Sequence, residues 1–284
     1  MQLLSEHAQS FLSRLAVCSW SLQPADPASL VCQLRELGVQ RVQLDLDPLR
    51  EHPAAWSTLS AVLAEAGVTV VSGMFRAVGE DYSSLESIRR TGGLLPNGTW
   101  KANWDHLQIT AKNAQQLGLD IVMTHAGFLP HDPADPVFET MIARMRQVAR
   151  LCADHGLMLC CETGQESAAS LAAFLDHLSE PNVAVNFDPA NMLLYHNGDP
   201  IAALQTLGQH VKSCHLKDAN VPRVPGTWGE EVPLGAGQVD WPAFFTTMAE
   251  IRFPGFFCVE REAGHHRGSD IASGLGFIKN LLGC

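Results

Sequence analysis

Four side chains in the second half of the sequence have the types and the spacing of a metal centre: Glu162, Asp188, His215 and Glu260. Each lies at the end of a short apolar run: LMLCCET (157–163), VAVNFDP (183–189), VKSCHLKD (211–218) and FFCVERE (256–262). One carboxylate at such a place is ordinarily a solvated strand tip. Four of them, at intervals of 26, 27 and 45 residues, match a repeating strand-plus-helix unit, with the last interval lengthened by a loop. Three carboxylates and one imidazole suit a borderline or hard divalent cation, Mn2+ first, with Mg2+, Co2+ and Zn2+ as the alternatives. Without an ion the three carboxylates would repel one another near a low-dielectric interior, so the set makes most sense around a metal. An ion that chelates a carbonyl and a neighbouring hydroxyl acidifies the C–H between them. Glu162 and Glu260 are then the candidate proton-transfer pair, one removing the proton and the other returning it.

Such a set needs strands that converge. Eight β-like runs alternate with helical periodicity; the first four are RLAVCSW (14–20), RVQLDL (41–46), VTVVSGMF (68–75) and DIVMTHAG (120–127). Helices are expected over 27–38, 53–67, 103–118 and 136–156, several of them closed by a glycine such as Gly38, Gly67, Gly118 and Gly156. Strands alternating with helices pair in parallel. Eight such units over 284 residues predict an α/β fold, a single (β/α)8 TIM barrel over 1–284 with its site at the C-terminal ends of the strands. A doubly wound sheet would bring a phosphate-binding glycine loop after the first strand, and CSWSLQPAD is not one. Two connections at the site end, 76–102 and 219–239, are rich in Gly, Pro and polar residues and read as loops able to act as substrate lids.

A formal charge of −11 opposes nucleic-acid binding, which depends on neutralising phosphates. No basic-then-apolar leader and no bilayer-length apolar run is present, so a cytoplasmic, membrane-free protein is expected. The eight cysteines lack a CxxC spacing; Cys18, Cys160, Cys161, Cys214 and Cys258 fall in strand-like runs and read as buried reduced thiols.

Glu162, the FDPAN run with Asp188, the HLKD run with His215, the GAGQVDW run (235–241) and the VER run with Glu260 together resemble the xylose-isomerase-like barrel superfamily. Its members include sugar-phosphate isomerases and epimerases, ketose 3-epimerases, inosose isomerases and dehydratases, and apurinic endonucleases. The resemblance spans Arg14 to the end and implies a sugar or cyclitol substrate and a homodimer or homotetramer. The three-metal endonuclease branch carries a histidine where this chain has Asn191, and an Asp-x-His pair after His215 that is missing here. A single metal is the better fit. Ketose 3-epimerases also have a histidine at Asn191 and an arginine at Val221, both touching substrate. Asn191 is thus a candidate substrate contact of a different kind, and the HLKD run is closer to the inosose dehydratase side.

Around the ligands, His125 in MTHAG is placed to reach a substrate hydroxyl. Lys217 could stabilise an enolate or protonate a leaving hydroxyl, with an ion pair to Asp218 or another acid as its structural alternative. Arg261 would neutralise the acidic cluster, and Trp20 would form an apolar wall under a sugar ring. His265 and His266 read as solvated. The expected activity is a metal-dependent isomerase or epimerase working through an enediolate on a ketose, inosose or keto-sugar derivative. The alternative is a dehydratase, in which the same enolate expels a β-hydroxyl. A non-catalytic sugar-binding barrel ranks lower.

Overall fold

The apolar runs close on themselves. The computed structural model describes residues 2–283, with side chains from Glu6 onward, so Met1 and Cys284 of the expected domain lie outside the described residues. Eight parallel strands form a barrel: β1 (Leu15–Cys18), β2 (Arg41–Asp45), β3 (Thr69–Phe75), β4 (Ile121–Thr124), β5 (Met158–Glu162), β6 (Val183–Phe187), β7 (Val211–Leu216) and β10 (Phe257–Val259). The eighth barrel strand closes on the first, with Ala16 opposite Cys258. Between β7 and β10 the chain adds an antiparallel hairpin of β8 (Asp218–Asn220) and β9 (Glu230–Val232). This is the (β/α)8 architecture that the alternating runs predict.

Alternation along each strand decides which side chains reach the barrel axis. Met74, Met123, Cys160 and Ala184 are register partners on four successive strands and form one buried layer. Ala16, Cys18 and Cys258 pack together on the opposite wall. Two residues further along the same faces stand Glu162 after Cys160 and Glu260 after Cys258. His215, the register partner of Cys258, belongs to the same side. Small thiols fill the narrow interior, and the polar groups ride directly above them. The seven described cysteines are all free, and six of them are buried.

Several boundaries differ from those expected. The first run stops at Cys18, and Trp20 sits on a short helical turn, Ser19–Leu22. The helix expected over 53–67 is confined to Leu59–Ala66. The expected lid 76–102 is partly helical: Leu85–Thr91 begins at an N-cap Ser84 that accepts from Ser87 N, and the next helix, Asn97–Gln116, starts six residues before the expected 103. Arg144 accounts for that early start. It donates to Leu94 O, Leu95 O and Asn97 Oδ1, and its guanidinium stacks over Trp100 at 4.8 Å.

The same region depends on a close crossing of backbones. Gly93 has φ +71°, its N–H donates to Glu80 Oε1 at 2.9 Å, and a Cβ on it would lie inside the van der Waals envelope of Ala126 O and Gly127 N. Neither neighbour is a side chain that can turn away. Gly93→Ala is therefore expected to destabilise the fold by about 3 kcal/mol through overpacking and φ strain, read as a lowered denaturation midpoint. An unchanged midpoint would show that the two loops separate freely.

Candidate metal centre

Strand ends bring the four ligands to one point. One atom from each of Glu162, Asp188, His215 and Glu260 lies within 4.8 Å of the others, and all four residues are buried. Glu162 closes β5 and His215 lies within β7, while Asp188 and Glu260 follow β6 and β10 by one residue. Asp188 also caps the helix Pro189–Leu194, with Oδ1 accepting from Asn191 N at 3.0 Å, which leaves Oδ2 for the centre.

His215 Nδ1 stands 2.6 Å from Glu162 Oε1, 3.2 Å from Glu260 Oε2 and 3.7 Å from Asp188 Oδ2. Despite these separations, neither His215 Nδ1 nor Asp188 Oδ2 has an aligned hydrogen-bond partner. Buried polar atoms are nearly always paired. Atoms this close that are not aligned with one another share a common target, and a cation fits that geometry. Lys217 Nζ joins the group, 2.7 Å from Glu260 Oε2 and 3.1 Å from Asp188 Oδ2. Three carboxylates and one ammonium leave two negative charges, which a divalent cation would neutralise.

Burial opposes the Glu162 charge, but His125 and His215 outweigh it and hold this carboxyl well below the usual range. Glu260 is held at about 2, with burial again overcome by His215 and Lys217. Burial disfavours the His125 imidazolium, yet Glu162 and Glu80 carry that group up to about 9.

The remaining sequence candidates divide. His125 lies at the centre, its Nε2 2.5 Å from Glu162 Oε2 and its Nδ1 2.9 Å from Gln165 Nε2. Trp20 presents its ring 5.7 Å from that of His215, and its Nε1–H donates to Glu260 Oε1 at 2.6 Å, so it also holds the Glu260 carboxylate. Asn191 is buried with Nδ2 unpartnered among the described residues. His265 and His266 are exposed.

One expectation is corrected. Arg261 does not neutralise the four-residue cluster: its guanidinium pairs with Glu231 at 2.8 Å and Asp270 at 2.9 Å. Lys217 forms the buried ion pair with an acid that is its structural alternative, with Asp188, Glu260 and Glu262 as the acids and not Asp218. Asp218 instead accepts from the backbone N–H of Ala219, Gly235, Gly237 and Val239 and from Trp241 Nε1, and so pins the 219–239 connection.

Sequence reasoning passes over Gln43, Glu80, Gln165, Tyr195 and Glu262. Gln43 Oε1 lies 2.7 Å from His215 Nε2, and Tyr82 and Glu80 approach His125 from the first long connection. Glu262, two residues beyond Glu260, is half-exposed and lies 3.2 Å from Lys217 Nζ. Gln165 and Glu166 follow β5. Glu166 Oε1 accepts from Leu129 N at 2.6 Å and ties the connection after β4 to the one after β5.

Burial pushes the Glu166 carboxyl up to about 8, more than the Leu129 hydrogen bond and His125 pull it down. Between the ordinary carboxylate range and pH 8, the folded chain therefore holds a proton that the unfolded chain has released. Stability falls as pH rises through that window, by about 1.4 kcal/mol per unit at most. Replacing Glu166 by Gln removes this contribution. Wild type should lose roughly 2–3 kcal/mol more than Glu166→Gln between pH 5.5 and 7.5, measured by denaturant unfolding; equal losses would contradict the protonated state.

A family model described as xylose isomerase-like TIM barrel matches residues 31–281. Among solved structures, a xylose isomerase domain protein from Planctomyces limnophilus is 30% identical, with a TM-score of 0.81, covering 94% of this chain and 95% of that one. The probable 3-DHS dehydratase AsbF from Bacillus anthracis is 15% identical, with a TM-score of 0.69 and coverage of 93% and 98%. D-psicose 3-epimerase from Clostridium cellulolyticum H10, solved with D-tagatose, is 17% identical, with a TM-score of 0.69 and coverage of 95% and 100%. The last two likenesses are of fold. A search of curated protein sequences returns no match.

Proposed function

Because the chain belongs to the xylose isomerase-like TIM-barrel family, we propose that it is a sugar isomerase or epimerase that moves a proton on a carbon beside a carbonyl. The observation that carries this reading is the convergence of Glu162, from β5, and Glu260, from the end of β10, on His215 Nδ1, with Asp188 completing the set. Those four residues would hold one divalent cation, Mn2+ by preference for a set of carboxylate oxygens and one imidazole. When bound, the cation supplies Lewis acidity that makes the neighbouring C–H acidic.

The chain supplies the proton chemistry. Glu162 has two differently placed oxygens: Oε1 faces His215 and the centre, and Oε2 faces His125. Oε2 is the atom placed to take the proton, and His125 stabilises the carboxylate that does so. Glu260, held by Trp20 and Lys217, approaches from β10 and returns the proton to the other face. Each transfer by a placed carboxylate contributes about 10²–10⁴ in rate. Tyr82, Trp20 and the unpaired Asn191 amide provide the stacking and hydrogen-bonding groups that a polyhydroxylated substrate needs.

Lys217 favours one competing reading. Its ammonium lies beside Glu260 and reaches out to the half-exposed Glu262, which suits delivery of a proton to a leaving hydroxyl; a probable dehydratase is also among the structural neighbours. Product analysis separates the two. Mn2+-loaded protein is incubated with free ketoses, inososes and 3-keto-glycosides and followed by proton NMR and ultraviolet absorbance. New sugar signals without new absorbance support isomerisation or epimerisation. A conjugated chromophore would replace that reading with dehydration.

A further inference from the structure

The inner side of His215 is held by a residue from the far wall of the barrel. Gln43 lies on β2, separated from β7 in the closed ring by two strands, β1 and β10, and is fully buried. Its Oε1 stands 2.7 Å from His215 Nε2 and 3.4 Å from Cys18 Sγ. We propose that Gln43 is a positioning residue that fixes the His215 ring in the Nε2–H tautomer, so that the Nδ1 lone pair is the one offered to a divalent cation. The inference rests on the metal-binding part of the reading above.

Which end of the amide faces His215 is decided by the neighbours. The Cys18 thiol donates at 3.4 Å to the amide atom that also faces the imidazole, which fits Oε1, the accepting end of the amide. His215 Nε2 must then carry the proton. The reversed amide would oppose an N–H to the thiol. It would also force the ring proton onto Nδ1, where three carboxylates would trap it and no lone pair would remain for a cation. Gln43 keeps this orientation even though its own Nε2 is buried without a partner among the described residues, as is Ser72 Oγ, on its register partner in β3. Satisfying the amide nitrogen has been subordinated to orienting the histidine, which is how partners behind metal-binding imidazoles act.

The test is Mn2+ affinity by titration calorimetry for wild type, Gln43→Met and Gln43→Glu, with thermal unfolding of each metal-free protein. Met fills the same volume without an acceptor, whereas Glu keeps an acceptor oxygen. Gln43→Met should bind Mn2+ 10–100-fold more weakly at an unchanged unfolding midpoint, and Gln43→Glu should stay within about threefold of wild type. Wild-type affinity in Gln43→Met, or an equal loss in both variants, would overturn the proposal while leaving the metal site intact. Absence of Mn2+ binding by wild type would overturn the metal reading as well. Should Gln43→Met fail to fold, long-range 1H–15N imidazole correlations on Zn2+-loaded wild type decide the matter: Nε2–H supports the assignment, and Nδ1–H contradicts it.

Discussion

Glu162→Gln and Glu260→Gln are each expected to lower turnover by at least about 10²–10⁴, the range a placed acid or base supplies. Two roles are lost together. The amide cannot take up a proton, and it is a poorer donor atom for a hard cation than a carboxylate. The two variants should nonetheless differ. Glu162 touches both His125 and His215, so its replacement leaves the His125 imidazolium without its nearest counter-charge. Glu260 anchors Trp20 Nε1 and Lys217 Nζ, so its replacement frees the wall of the site and strands an ammonium beside Asp188. Single-turnover rates at saturating Mn2+, together with the Mn2+ dissociation constant, separate the contributions. If either variant keeps a wild-type rate once loaded, that carboxylate is a ligand alone.

The second large effect is on stability. Asp218→Ala should destabilise the chain by about 3–5 kcal/mol, because it removes one buried acceptor that serves five donors. Each buried N–H left unpaired costs roughly 1–3 kcal/mol, and water entering the opened site recovers part of the sum. The damage should be directional. Gly235, Gly237, Val239 and Trp241 lose their anchor together, so the 219–239 connection should become accessible to protease before the rest of the barrel unfolds. Asp218→Asn keeps one acceptor oxygen and should recover part of the loss. Proteolysis kinetics and denaturant midpoints check both statements, and an undisturbed connection in Asp218→Ala would show that the hairpin of β8 and β9 holds itself.

The barrel is legible in the sequence because each of its strands is a short apolar run followed by a helical period, and because several helices end on glycine. The convergence of Glu162, Asp188, His215 and Glu260 is legible for the same reason, since each stands at the end of such a run. What is less visible follows from tertiary contacts. The Asn97-Gly98-Thr99 stretch falls in the 76–102 connection that reads as a loop by composition, yet it is helical once Arg144, nearly fifty residues away, satisfies the carbonyls in front of it. Gln43 sits in the RVQLDL run as an unremarkable polar residue, and only closure of the barrel places it behind His215. Arg261 and Glu262 are a further case. Both lie beyond the strand that ends at Val259, so their partners, Glu231 and Asp270 for Arg261 and Lys217 for Glu262, follow from how the loops fold back. Lys217, two residues after His215, faces the centre, whereas Asp218 turns away to organise the loop.

The account requires that the four convergent side chains and a divalent cation make a C–H beside a carbonyl exchange with solvent, whatever product follows. By the proton-transfer route proposed, isomerisation, epimerisation and dehydration all pass through that step. The most direct measurement is proton NMR of keto-sugar substrates in D2O, with Mn2+-loaded protein beside protein stripped by a chelator. Mn2+ is removed before the spectra are recorded. The signal of the carbon-bound proton next to the carbonyl should disappear with loaded wild type, persist with stripped protein, and persist with Glu162→Gln and Glu260→Gln. Disappearance at the wild-type rate in both variants, or in stripped protein, would contradict it.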